Sequence, residues 1–374
     1  MAVRRGIAVL ALALALAGCD AARTSPSPAQ PSATGSPTPA GTRLAGTPFG
    51  VAELGRFEEP WAMTFLPGGG DALITLRAGR LILRAADGST REVGGVPEVA
   101  YQGQGGLGDI IASPRFAEDR TVYLSWAARG DGGSGAEVAR AWLAADGDRA
   151  ALEDLTVIWR QPKTSGSGHY GHRLAFSPDG AYLFVTSGER QKMTPAQDRD
   201  NALGSIVRLD PDGANARIWT YGHRNPLGIA FDPAGNLWSS EMGPQGGDEF
   251  NLIVEGRNYG WPEASNGSHY GGADIPDHRP GDGFEAPTVW WNPSVSPGSL
   301  MIYTGALFPQ WQGDAFIGAL SGQALIRVDL DGTTASTADQ WDFGDRVREV
   351  EQAPDGSIWV LTDGPGGRLL RLTP

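Results

Sequence analysis

The chain has 374 residues, 40% of them hydrophobic with 12 Trp among them, and a formal net charge of −13. That acidity leaves no basic field to neutralise phosphate, so nucleic acid is excluded as a partner, and the apolar content is enough for a substantial core. One cysteine rules out an intrachain disulfide, and 54 Gly and 27 Pro punctuating short apolar runs fit a loop-rich all-β protein better than a helical one.

Residues 1–19 read MAVRRGIAVLALALALAGC. Arg4 and Arg5 form a positive start, and the apolar run 7–17 is short for a membrane span. Leu16-Ala17-Gly18-Cys19 resembles a bacterial lipobox, which implies a signal peptide over 1–18 and lipidation of Cys19. An ordinary secretory signal and a twin-arginine signal are the alternatives, and the residues around the arginines match the latter poorly. Residues 19–42, rich in Pro, Ser, Thr and Ala, lack hydrophobic periodicity and are expected to be a flexible tether. The chain is thus expected to be exported and held at a bacterial membrane, with residues 43–374 standing clear of it.

From residue 43 onward one pattern recurs, a short apolar strand running into a turn with a second β-rich strand behind it. Its copies are Ala62–Pro67, Asp109–Pro114, Leu174–Gly180, Gly228–Pro233, a weaker Gly298–Tyr303 without the Pro/Asp exit, and Val350–Gly356. Strands such as Tyr182–Thr186 and Ile358–Thr362 follow these turns. A second recurrent exit, Val207–Gly213, Val328–Gly332 and a looser Leu83–Gly88, reads as later strands of the same units. The copies lie roughly 45 to 70 residues apart, near or above the period of propeller blades. A blade cannot bury both its faces alone, so six copies predict a six-bladed β-propeller, with a β-sandwich or two barrels as the alternative.

Three stretches concentrate polar chemistry. Tyr221-Gly222-His223-Arg224-Asn225-Pro226 places two cationic candidates and an amide in one turn. Glu241-Met242-Gly243-Pro244-Gln245-Gly246-Gly247-Asp248-Glu249 mixes carboxylates with glycines that free backbone carbonyls for a hard cation such as calcium. Gly256-Arg257-Asn258-Tyr259-Gly260-Trp261-Pro262 follows. In this order the three resemble the glucose/sorbosone dehydrogenase family, which includes soluble quinoprotein glucose dehydrogenases and aldose sugar dehydrogenases. The resemblance covers most of residues 50–374.

The resemblance implies a six-bladed propeller with pyrroloquinoline quinone (PQQ) at one end of its axis. In Gly168-His169-Tyr170-Gly171-His172-Arg173, His169 matches the catalytic general base, by its spacing from Arg173; His172 is the competing candidate. Glu189 matches an acidic partner of that histidine. Arg224 and Asn225 match residues facing the quinone, and Gln104 one near sugar and cofactor. Arg346 and Arg348 match a pair gripping the PQQ carboxylates, and alternation along a strand puts both on one face. Tyr270 and the stretch Ala319, Leu320 and Ser321 are further cofactor contacts by position. Soluble glucose dehydrogenases place a lysine where Ser321 stands, so this chain lacks that charge. The Gly243 and Pro244 carbonyls match ligands of a calcium ion bridging to PQQ, and Glu249 with the Tyr259 backbone a second, structural ion.

The implied reaction oxidises the C1 hydroxyl of an aldose to a lactone, by base-assisted hydride transfer to the quinone. Electrons then pass to a quinone, cytochrome or dye. No glycine-rich nucleotide fingerprint joins a strand to a helix, so NAD is not expected. Two other readings stay open, a non-catalytic sugar- or protein-binding propeller and a calcium-dependent lactonase. Axis candidates that are mainly Arg, His and Gln suit an anionic cofactor better than either.

Overall fold

The computed structural model describes residues 42–43, 46–147 and 149–374. Cys19, the leader and nearly all of the expected tether lie outside the described residues. Thr42, the last residue assigned to the tether, already pairs with Val51.

Among the described residues, five four-stranded antiparallel sheets and a sixth, which Thr42–Arg43 extends to five strands, form the blades, and Gln245–Gly246 pairs with Gly267–Ser268 in a small extra sheet. Blade 1 comprises Pro60–Phe65, Ala72–Leu76, Arg80–Arg84 and Thr90–Val93, and blade 2 comprises Leu107–Ala112, Thr121–Gly130, Gly133–Asp146 and Arg149–Arg160. Blade 3 comprises Gly171–Phe176, Leu183–Ser187, Ser205–Leu209 and Arg217–Tyr221, and blade 4 comprises Pro226–Phe231, Leu237–Glu241, Asp248–Ile253 and Val289–Trp291. Blade 5 comprises Met301–Ile302, Ala315–Ala319, Ala324–Asp331 and Thr334–Asp342. Blade 6 takes Val347–Gln352, Ile358–Thr362 and Gly367–Thr373 from the C-terminus and its fourth strand, Gly50–Phe57, from the start of the ring. Each innermost strand lies against that of the next blade, and blade 6 returns to blade 1. The architecture is a six-bladed β-propeller.

The six sequence copies are the six innermost strands, and the second recurrent exit marks third strands of blades 1, 3 and 5. Second strands such as Leu183–Ser187 and Ile358–Thr362 are buried on both faces, because a neighbouring blade covers each side. They therefore read as unbroken apolar runs instead of alternating ones. The Asp-Gly exits are local turns: Asp179 Oδ1 accepts the Ala181 amide at 3.0 Å and Asp355 Oδ1 the Ser357 amide at 2.9 Å. Gly180 and Gly356 then adopt φ of 69° and 83°, where a side chain would be strained.

The ring closes through Val51↔Leu372 to Phe57↔Gly367, stapling both ends of the ring into one sheet. Phe49 beside this seam packs with Trp311, Trp341 and Phe343 in the core between blades 5 and 6.

A register argument explains what occupies the axis. Counting back six residues from the proline that ends each inner strand (Pro67, Pro114, Pro178, Pro233 and Pro354) gives Trp61, Gly108, His172, Leu227 and Arg348. Counting back five gives Ala62, Asp109, Arg173, Gly228 and Glu349. These are two successive levels around the axis. In the lower one Arg173 acts as a hub. Its Nε donates to the Leu227 carbonyl at 2.8 Å and its Nη2 to the Gly298 carbonyl at 2.5 Å. Nη1 lies 3.4 Å from Asp109 and 2.5 Å from Glu349, and the guanidinium sits 4.1 Å from the Trp61 ring centre. One side chain from blade 3 thus touches blades 1, 2, 4 and 6 and the segment entering blade 5. Burial nevertheless holds Glu349 up to about 8, Asp109 adding to the effect against the opposing Arg173 and Arg348.

Candidate active site

The upper level lines a cavity of about 270 Å³ at one end of the axis, with walls that include Trp61, Gln104, Asn225, Leu320, Arg346 and Arg348. His172 forms part of its floor. Its ring stacks on Trp61 at 5.0 Å, and Nδ1 lies 2.9 Å from the Ser125 hydroxyl. Burial, reinforced by Arg173, Arg190 and Arg348, drives its pKa down to about 3. Such a ring stays neutral and is a weak proton acceptor. Gly108 makes room for it: a Cβ there would lie 1.9 Å from His172 Cε1.

His169 is also buried but has a carboxylate partner. It precedes the inner strand of blade 3 with φ at 51°, and Arg190, Gln191 and Met193 are also left-handed. Strained non-glycine backbone of this kind persists where the surroundings hold it in place. Here the His169 amide donates to Gln104 Oε1 at 2.7 Å, and its carbonyl accepts from the Arg190 amide at 3.2 Å. The ring Nδ1 lies 2.5 Å from Glu189 Oε1. The other Glu189 oxygen accepts the Lys192 and Met193 amides. Burial opposes ionisation of Glu189, but its bond and attraction to His169 and the two amides together hold its pKa below the ordinary value. For His169, burial outweighs the Glu189 bond, and the charge of Arg224 acts with burial, so the pKa falls below 6.5. The ring is therefore neutral at pH 7, with Nδ1–H fixed on Glu189 and Nε2 carrying the free lone pair.

Arg224 and Asn225 enter blade 4 in a turn tied to Glu241. Glu241 Oε2 accepts the Arg224 amide at 2.9 Å and the Asn225 amide at 3.2 Å. Its Oε1 lies 3.2 Å from His223 Nδ1. His223 is fully buried, bonded to Thr220 and stacked on Tyr259 at 4.5 Å, so this second cationic candidate of the motif is a structural ring. Arg224 donates to the Met242 carbonyl at 2.9 Å and to the Tyr270 hydroxyl at 3.0 Å. Asn225 Oδ1 accepts the Gly171 amide at 3.2 Å, tying blade 4 to the His169 segment.

Arg346 and Arg348 both reach the cavity, although Arg346 precedes the strand that contains Arg348. Each donates Nε to a different oxygen of Asp363, both at 2.9 Å. Their terminal amino groups make no hydrogen bond among the described residues. Arg77, the third cation of the wall, is committed to Glu59 and to the Gly103 and Gly105 carbonyls.

The structure brings Gln104, Asn225, Leu320, Arg346 and Arg348 onto one cavity, with His169 and Arg224 next in sequence to lining residues Tyr170 and Asn225. It separates others from it. Ala319 packs in the core of blades 4 and 5, away from the cavity. Ser321 is exposed, and its hydroxyl is bonded to Ser296 at 2.8 Å and to the Ser294 carbonyl at 3.2 Å. Tyr270 is 75% exposed and reaches the site only through Arg224. Trp61 and Asp363 lie outside the motifs, while His172 and Glu241 lie inside them with structural roles that motif reading did not give. The proline register would have found Trp61 and His172, since it places them level with Arg348.

Two places offer oxygen ligands. Neither the Gly243 nor the Pro244 carbonyl accepts a hydrogen bond among the described residues, and Asp248 holds the Gly243 amide at 2.8 Å. Glu249 is buried opposite Glu241 on the neighbouring strand. Burial first and Glu241 second push its pKa well above 4.5. The Tyr259 carbonyl likewise accepts no hydrogen bond among the described residues.

Comparison with known proteins identifies the family. Residues 57–371 match the glucose/sorbosone dehydrogenase family model. Aldose sugar dehydrogenase YliI of Escherichia coli is 40% identical over 85% of this chain and 91% of its own. Quinoprotein glucose dehydrogenase B of Acinetobacter calcoaceticus is 26% identical over 84% and 85%. The apo crystal structure of the soluble E. coli aldose sugar dehydrogenase superposes with a TM-score of 0.81 at 38% identity, covering 87% of this chain and 99% of that one. The PQQ-bound aldose sugar dehydrogenase of Streptomyces coelicolor gives 0.73 at 29% identity, covering 87% and 98%. The chain belongs to the glucose/sorbosone dehydrogenase family of oxidoreductases.

Proposed function

We propose that the chain is a PQQ- and calcium-dependent aldose dehydrogenase that oxidises the C1 hydroxyl of sugars to lactones. The observation that carries the reading is the pair Arg346 and Arg348, whose terminal amino groups are uncommitted in a cavity beside a neutral histidine–carboxylate dyad. Free guanidinium donors in a concave site suit a polycarboxylate. Trp61, Leu227 and Leu320 on the walls suit a flat ring system. Arg346, Arg348 and Asn225 would hold PQQ, which supplies the two-electron acceptor for alcohol oxidation. The uncommitted Gly243 and Pro244 carbonyls fit a hard cation, as calcium requires.

The chain's own residues do the rest. His169 removes the sugar hydroxyl proton at Nε2, because Glu189 fixes the other nitrogen as a donor and stabilises the imidazolium that forms. Gln104 sets the height of His169 through its backbone amide. Arg224, held on the Met242 carbonyl and Tyr270, presents fixed positive charge beside this base, favouring negative charge that develops during reaction. With no lysine at Ser321, cofactor grip falls on Arg346 and Arg348. The electron acceptor is a quinone, a cytochrome or an artificial dye.

Reconstitution of metal-stripped protein with PQQ and calcium, followed by dye reduction with several aldoses, tests the reading. Turnover that needs both additions is expected. Tight PQQ binding without turnover would favour the binding-module reading, and lactone hydrolysis indifferent to PQQ the lactonase. We further propose export and lipid anchoring at Cys19. Its test is membrane fractionation of the full chain: C19A should release the protein, and membrane retention of that variant would refute the anchor.

A further inference from the structure

Blade 4 carries a long segment between its third and fourth strands, residues 254–288, which includes Tyr259 and His278. The His278 side chain is 3% exposed, yet neither ring nitrogen has a hydrogen-bond partner among the described residues. Nε2 lies 3.9 Å from Glu249 Oε1, and Nδ1 lies 3.9 Å from Asp282 Oδ2. Both separations are too long for hydrogen bonds. Two buried, unpaired imidazole nitrogens cost free energy unless something else engages them.

The surroundings are arranged for a cation. Glu249 faces Glu241 across adjacent strands, and its Oε2 accepts the Asn251 side-chain amide at 3.0 Å. Asn251 Oδ1 is buried and unpartnered. His278 packs directly on Gly260, where a Cβ would lie 2.9 Å from its Cε1. The Tyr259 carbonyl, one residue away, accepts no hydrogen bond among the described residues. A metal with bonds of about 2.0–2.2 Å spans a gap like that between Glu249 and His278. A neutral imidazole is a poor ligand for calcium and a good one for first-row transition ions.

We propose that His278 is a ligand in the Glu249 ion site and that it makes the site select a transition cation, such as Zn²⁺ or Mn²⁺, over Ca²⁺. The inference rests on reading Glu249 as an ion ligand, and adds the nitrogen donor and the altered preference. The ion also has a route to the active site. Glu241, beside Glu249, holds the Arg224 and Asn225 amides, so an ion here fixes the turn that carries both residues.

The test is calorimetric titration of metal-stripped full-length protein, without PQQ, using Zn²⁺, Mn²⁺ and Ca²⁺ separately. Wild type should bind Zn²⁺ at least ten-fold more tightly than Ca²⁺. H278F should lose at least thirty-fold in Zn²⁺ affinity with Ca²⁺ affinity unchanged, and E249Q should lose Zn²⁺ and the Ca²⁺ bound at this site, the Gly243 and Pro244 carbonyls being untouched. Mn²⁺-loaded wild type should show ¹⁴N hyperfine coupling by pulsed electron paramagnetic resonance, absent in H278F. Metal-free melting curves establish that each variant is folded, and H278Q replaces H278F if the latter is not. Binding unaffected by His278 substitution, or a preference for Ca²⁺, would overturn the nitrogen ligand while leaving the ion site intact. No binding of any ion would overturn both, leaving the two carboxylates sharing a proton.

Discussion

Substituting Glu189 by Gln changes one atom and should disable the base by switching its tautomer. In the native site one carboxylate oxygen accepts from His169 Nδ1 at 2.5 Å and the other from the Lys192 and Met193 amides. Glutamine has only one acceptor oxygen. Facing two backbone N–H groups on one side and one ring nitrogen on the other, its oxygen turns to the pair and its NH₂ to Nδ1. The ring must then accept at Nδ1 and carry its proton on Nε2, where the substrate proton should go. A positioned general base contributes about 10²–10⁴-fold, and a wrong tautomer in an acid–base triad costs about 10⁴. E189Q should therefore lower kcat by roughly 10²–10⁴-fold with KM little changed. The carboxylate also raises the His169 pKa against burial, so its removal should move the acid limb of the kcat/KM profile to lower pH. Stopped-flow dye reduction across pH 4–9 measures both. A kcat within ten-fold of wild type, or an acid limb moved upward, would refute the assignment of Glu189 as orienting partner.

Loss of the axial hub should be felt across the ring: R173M strands the buried Asp109 without its cation and the Leu227 and Gly298 carbonyls without their donor, a change that costs about 3–5 kcal/mol. For ~330 ordered residues, that lowers Tm by about 4–7 °C in differential scanning calorimetry; an unchanged Tm would contradict the hub. Glu349 titrates at about 8 in the folded chain, above its ordinary 4.5, so the folded state holds a proton that the unfolded state releases between those values. Its contribution is full below pH 4.5 and is lost as pH rises to about 8, with Glu351 acting in the same direction. Urea midpoints for E349Q should show a flatter decline over that window than wild type. R348M should weaken PQQ binding roughly 10- to 100-fold, the worth of a charge-assisted hydrogen bond, with kcat preserved at saturating PQQ; fluorescence titration measures it.

The propeller was legible because burial between blades makes the second strands largely apolar and because four inner strands leave through Ser- or Asp-anchored turns, both local signals. Blade 5 was the weak copy because its inner strand is only Met301–Ile302 and lacks the proline exit. Ring closure by Gly50–Phe57 was not legible, since pairing across more than 300 residues leaves no local mark. At the site, His169, Arg224 and Asn225 could be read from contiguous motifs; Arg346 and Arg348 share the cavity, but not through strand alternation, since Arg346 precedes the strand and the pairing shifts register at Arg348. Glu241, which fixes the Arg224 turn, and Asp363, which spaces the two arginines, act across strands; Asp363 carries no motif, and the Glu241 motif does not reveal this role. Ala319 shows the opposite failure: it ends the second strand of blade 5 inside the core, and only Leu320, the first residue of the turn that follows, reaches the cavity.

The most direct test is a crystal structure of the protein grown with PQQ and calcium. Tricyclic density in the cavity, with its carboxylates on the terminal amino groups of Arg346 and Arg348 and an ion on the Gly243 and Pro244 carbonyls, is the predicted result. Density elsewhere on the molecule, or a cavity in which those arginines stay on Asp363 and contact nothing bound, would contradict it.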